Sequence, residues 1–115
     1  CFAVFPNPLS AVNAAVAMQH AFTASNLLTS DDLDIHIACG IDYGRILVVG
    51  HEDCFGDPVN RASKMGEDIA ASGEVLVTKD AFDMIPIEAN IKARELKISI
   101  SGIEIPAFAV EYRRE

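Results

Sequence analysis

Asn60 and Lys64 are the two residues whose types and spacing most readily do chemistry. They stand four apart in Phe55-Gly56-Asp57-Pro58-Val59-Asn60-Arg61-Ala62-Ser63-Lys64-Met65, so on a helix they share one face, one above the other. An amide and an ammonium group side by side near the positive end of a helix make a seat for phosphate, to which the helix end itself adds roughly 0.3–1 kcal/mol. The residues before them supply that helix start. Asp57 reads as the N-cap, its carboxylate accepting from a free amide of the first turn. Pro58 suits the first helical position, where its missing N–H costs nothing, and Gly56 allows the tight turn before it. Val59, Ala62, Gly66 and Ile69 form the apolar stripe that would dock this helix. A plainer reading of the same run is an ordinary helix start. Lys64 then only pairs with Glu67 or Asp68 on the solvated face, an interaction worth about a few tenths of a kcal/mol.

The elements that must carry this helix can be read along the chain. Cys1 to Phe5 reads as a strand that Pro6-Asn7-Pro8 breaks. Asn7 and Pro8 form a second cap-and-proline start, for a helix running to about Ser25. Its expected buried stripe is Ala11, Val12, Ala15, Val16, Met18 and Phe22, with Gln19 and His20 outside. Leu33 to Cys39 alternates, with Leu33, Ile35, Ile37 and Cys39 inward and Asp34 and His36 in solvent. Asp42-Tyr43-Gly44 is expected to turn a hairpin into a second strand, Arg45 to Val49, apolar on both faces and therefore central. Gly50 to Cys54 is the loop delivering the chain to the key helix. It is dense in side-chain ligands, but its spacing suits no common metal site. After the helix come a short strand, Glu74 to Val77, and a brief helix capped by Thr78. A hairpin follows in which Leu96, Ile98 and Ile100 alternate with polar residues, Gly102 turns, and Phe108, Val110 and Tyr112 return.

Bulk properties narrow the function. The 115 residues suffice for one domain with one core, and a hydrophobic content of 50% argues against disorder. With 9 basic and 17 acidic residues the net charge is -8, which repels nucleic acid but leaves room for a small nucleotide held by local geometry. Cys1, Cys39 and Cys54 are odd in number and widely spaced, which fits reduced thiols in the cytoplasm rather than a disulfide framework. No apolar run reaches membrane-spanning length.

The run Asp53 to Lys64 resembles the signature of class III nucleotide cyclases, in which an aromatic-Gly-Asp/Asn-x-Val-Asn-x-Ala-Ser-Arg motif opens a helix beside the active site. Gly40 to Gly44 with Ile46 to Gly50, then Ser72-Gly73 with Val75 to Thr78, then the hairpin to Tyr112, resemble the family's flanking elements in the right order. The resemblance implies an α+β fold: a ferredoxin-like βαββαβ core with an added C-terminal hairpin. The sheet would be mostly antiparallel, with helices on one face. It implies conversion of ATP, or GTP, to a 3′,5′-cyclic nucleotide and pyrophosphate by a head-to-tail homodimer using two Mg²⁺ or Mn²⁺ ions. Asn60 would position the ribose. Lys64 stands where the family has a transition-state arginine, keeping the charge but losing the bidentate fork. Purine choice would fall to the Asp53–Cys54 pair. Asp53 occupies the purine-reading position, its carboxylate suiting the amino group of adenine, and Cys54 one residue later is not the guanine-type cysteine.

The resemblance also sets what this chain is expected to lack. The chain starts within an apolar run, so it is expected to be a fragment without the family's first strand, first helices and part of the following hairpin. The two metal-holding aspartates lie in that region, and no metal ligand is assigned in this chain. A phosphate-binding basic residue of some relatives would fall near Ile103. The alternative is a catalytically inactive cyclase-like domain serving dimerisation or nucleotide sensing. A diguanylate cyclase is disfavoured because the chain has no Gly-Gly-Asp/Glu-Glu-Phe run.

Overall fold

The computed structural model describes residues 3–28, 36–44, 47–49, 53–100 and 102–112. Helix α1 spans Pro8–Asn26 and starts as its sequence dictates, with Pro8 in the first turn and the Asn7 side chain accepting from the Ser10 amide at 2.8 Å. Val12 and Ala15 are buried, but Met18 is 48% exposed and Gln19 only 5% exposed, the reverse of the expected placement. Helical geometry explains the exchange. Gln19 follows Val12 by seven residues, nearly two full turns, and so returns to the same face, while Met18 lies about 100° round the axis. The buried amide is satisfied: its Nε2 donates to the carbonyl oxygens of Ile37 at 3.1 Å and Glu74 at 3.5 Å. His20 is exposed, as the pattern requires, with its ring edge-on to Tyr112.

The strands are β1 (Cys39–Ile41), β2 (Leu47–Val49), β3 (Asp53–Phe55), β4 (Val75–Thr78), β5 (Ala93–Ile100) and β6 (Ile103–Val110). Between them lie α2 (Asp57–Lys64), continued by a π-helical turn over Met65–Ile69, and α3 (Lys79–Phe82). Four strands form a sheet in the order β1-β4-β6-β5, with β1 parallel to β4 and the other pairs antiparallel. This is the mixed, mostly antiparallel α+β architecture that the resemblance implies.

Four differences from the sequence expectation have physical causes. First, residues 3–5 are not a strand, and Val4 and Phe5 are 53% and 40% exposed; among the described residues no strand pairs with them. Second, β1 is Cys39–Ile41, so among the described residues only Cys39 of the run from Leu33 to Cys39 lies in it; Leu33, Asp34 and Ile35 lie outside the described residues, and His36 is exposed. Third, β2 pairs with β3, with Val49 opposite Asp53, so Asp53 and Cys54, expected in the loop before the key helix, belong to a strand, while Gly50 to Glu52 lie outside the described residues; β1 takes β4 as its partner instead. Pairing is decided between segments distant in sequence, which local alternation does not report.

The fourth concerns the helices. Successive β4 residues point to opposite faces. Val75 and Val77 join Val12, Ala15, Ile41, Ala81 and Val110 in one cluster, beneath α1 and α3. Leu76 joins Met65, Ile98, Ala107 and Ala109 in another, beneath α2 and its π-helical turn. Helices therefore cover both faces. The unbroken run Val75-Leu76-Val77, all at 1% exposure or less, is what a doubly covered strand requires.

Candidate active site

Helix α2 begins one residue earlier than its composition suggests. The cap position is Gly56, at φ 140°, where a side chain would be strained, and Asp57 is the first helical residue rather than the cap. Met65, outside the expected stripe, is fully buried. Lys64 ends α2, so about 10 Å of helix separates it from the amides at the start. The helix-end field decays within the first turn and does not reach it. The seat for an anion therefore rests on the side chains.

Those side chains share one cleft. Asn60 and Lys64 line a cleft of about 520 Å³ together with Arg61, Ser63 and Glu67. The opposite wall is apolar: Ile100, Ile103 and Ile105 from the β5–β6 hairpin, which turns at Gly102 with φ 80°. Asn60 is exposed. The Lys64 ammonium lies 3.4 Å from Asp68, with both side chains 58% exposed. A pair so solvated contributes roughly 0.2–1 kcal/mol and leaves the ammonium available to a stronger anion. Asp53 and Cys54 belong to β3 by their backbone, opposite Val49 and Val48; their side chains, and that of Asp57, lie outside the described portion.

A second constellation adjoins the cleft and was not singled out in the sequence. The Asp42 carboxylate is fully buried. It accepts from the Tyr43 amide at 2.8 Å, from the Thr78 hydroxyl at 2.6 Å and from Nε of Arg61 in a short ion pair. Arg61 faces the cleft on one side and, on the other, a cavity of about 110 Å³ lined by Asp42, Thr78, Lys79, Asp80, Ile105 and Pro106. The signal available was a carboxylate directly after an apolar strand, one turn residue from glycine. It reads equally well as an ordinary turn.

Burial pushes the Cys39 thiol up, with the Gln19 side chain acting weakly the other way, so it stays protonated at neutral pH. Among the described residues no three His, Cys, Asp or Glu side chains come together to hold a metal ion. Among them too, no helix is long and apolar enough to cross a membrane.

No protein-family model matches the chain, and no curated protein matches it. Among solved structures it is similar to an adenylate/guanylate cyclase/hydrolase from Silicibacter pomeroyi, with a TM-score of 0.76 and 24% identity over 92% of this chain. The chain spans 63% of that protein's length. At this identity the likeness shows the fold, a cyclase-like one, and the chemistry has to be argued from the residues.

Proposed function

We propose that this chain carries the ribose- and transition-state-binding half of a nucleotide cyclase site, acting in the cytoplasm on ATP in preference to GTP. The reaction forms a bond between the ribose 3′-oxygen and the α-phosphorus. The bond from that phosphorus to the bridging oxygen breaks, pyrophosphate leaves with the electron pair, and the 3′-hydroxyl proton passes to solvent. The observation that supports this reading is that Asn60 and Lys64 line one open cleft in a cyclase-type fold.

Each residue has a role its chemistry suits. The Asn60 carboxamide both donates and accepts, and so orients a ribose hydroxyl. The Lys64 ammonium offsets charge developing on the transferring phosphoryl group. Once a second copy closes the cleft, the isoleucine wall excludes water on one side, which strengthens that interaction. Asp53 accepts from the adenine amino group. Such cyclisation uses two divalent ions, Mg²⁺ or Mn²⁺, to activate the 3′-oxygen and neutralise phosphate. The described residues do not fit them, so no step is assigned through them here. The open cleft is completed, in this reading, by a second copy arranged head to tail.

The test is the full-length protein with Mn²⁺ and either ATP or GTP, assayed for cyclic product. Cyclic AMP is expected to form faster than cyclic GMP, and Asn60→Ala is expected to slow it by about 10²-fold through lost orientation. Wild-type turnover by Asn60→Ala would remove the site assignment. Failure to form product from either nucleotide would instead favour an inactive cyclase-like domain.

A further inference from the structure

Strand β1 and the residues after it run alongside α2 in the opposite direction, and alternate residues touch it in sequence. A Cβ on Gly40 would lie 2.5 Å from the Ala62 carbonyl oxygen and 2.7 Å from the Gly66 amide nitrogen. Asp42 holds Arg61. A Cβ on Gly44 would lie 2.7 Å from Cγ of Pro58. The two glycine contacts, Gly40 against the helix backbone and Gly44 against the Pro58 ring, are close approaches that set distance. They do not set rotation, because glycine offers nothing directional. The Asp42–Arg61 contact is directional, and Asp42 is itself fixed by the Tyr43 amide and the Thr78 hydroxyl.

Thr78 ends β4 and caps α3, its hydroxyl oxygen accepting from the Ala81 amide at 3.3 Å. One buried carboxylate thus ties the C-terminal ends of the neighbouring parallel strands β1 and β4 to the residue next to Asn60. We infer that Asp42 is a positioning residue: by holding Arg61 it fixes the rotation of α2 that presents Asn60 and Lys64 to the cleft. Arg61 is only 34% exposed, consistent with a side chain held against the fold. The kinetic consequence rests on the cyclase reading. The structural one does not.

The experiment compares Asp42→Ala, Arg61→Ala, Arg61→Lys and the Asp42→Ala/Arg61→Ala double variant in the full-length protein. Val12→Ala, in the core on the other face of the sheet, controls for lost stability. Each single removal is expected to lower kcat about 10- to 100-fold, as slight misplacement of reacting groups does. KM should stay within about threefold, because the contact acts on orientation. The double variant should be no worse than either single one, and Arg61→Lys should restore most of the rate. Val12→Ala should keep kcat. Additive losses, or a similar loss of kcat in Val12→Ala, would overturn the inference.

Amide hydrogen exchange over residues 57–64 reads the same contact without turnover. Faster exchange there in Asp42→Ala than in Val12→Ala supports it, and equal exchange overturns it. Should the wild type form no cyclic product, the enzymatic reading falls, and the exchange result alone decides the role of Asp42.

Discussion

The two faces of the sheet are held by different physics. Beneath α1 and α3 the buried core is apolar, Val12, Ala15, Val75, Val77 and Ala81 with Phe82, Ile85 and Ile91 packed against it, and the Gln19 and Tyr112 side chains donate to backbone carbonyl oxygens at the margin. Beneath α2 the centre is equally apolar, around Met65 and Leu76, but the edge carries a buried carboxylate with three hydrogen-bonding partners. Hydrophobic burial is non-directional and tolerates small slides and rotations. Hydrogen bonds weaken steeply with misalignment. The α1 face relies mainly on the first, with neutral hydrogen bonds from Gln19 and Tyr112 at its margin. The α2 face, which under the proposed function has two side chains to aim, adds a charged and directional contact.

The largest expected effect breaks the aimed face at its output. Lys64→Ala should lower kcat about 10²- to 10³-fold, the loss typical when a preorganised charge-stabilising group is removed. Lys64→Arg restores a guanidinium fork at that position and is expected to match or exceed the wild type. The urea midpoint of both variants should be unchanged, since the pair with Asp68 is solvated. Steady-state assays of cyclic product beside urea unfolding check this. A Lys64→Ala protein with normal kcat would reduce both faces to the same purely structural role.

Next is the close approach itself. Gly40→Ala drives a methyl group into the Ala62 carbonyl and the Gly66 amide, which are backbone and cannot swing aside. Overpacking of this kind costs about 1–3 kcal/mol, and α2 must shift to relieve it, so stability and turnover should fall together. Gly102→Ala is the contrast: nothing lies within 4 Å, and only its φ of 80° is strained, so a smaller loss of stability with unchanged turnover is expected. On the opposite face Val12→Ala should cost about 1–3 kcal/mol by urea unfolding and leave kcat alone.

What the sequence discloses divides along the same line. Helix α1 was legible from Asn7-Pro8 and its periodicity, and the β5–β6 hairpin from the alternation of Leu96, Ile98 and Ile100 about Gly102, because these are local signals. Asn60 and Lys64 were legible as a pair because helical spacing alone puts them together. The β2–β3 pairing and the covering of both sheet faces were not, since partners separated by tertiary folding leave no periodic trace. Arg61 and Thr78 stand 19 and 36 positions from Asp42, and the three converge only once β1, β4 and α2 are assembled. Gln19 was misplaced for a related reason: its polarity says outside, while the carbonyls of Ile37 and Glu74 supply the partners that let it in.

The smallest effect sharpens the comparison on the α1 face, through Cys39. Burial raises its thiol pKa above the 9.0 of an exposed cysteine. Between that value and the folded one the unfolded chain ionises first, so it binds fewer protons than the native state, and stability falls as pH rises. The contribution is fully present below pH 9.0 and is lost above it. The urea midpoint of the wild type should therefore drop relative to Cys39→Ala on going from neutral pH to above 9.0. Lys79, whose pKa is raised by its bond to Asp83, titrates alike in both proteins and cancels in the difference. Parallel pH profiles for the two proteins would mean that this face does not exclude water around the thiol, and the contrast between the faces would then have to rest on the Asp42 contacts alone.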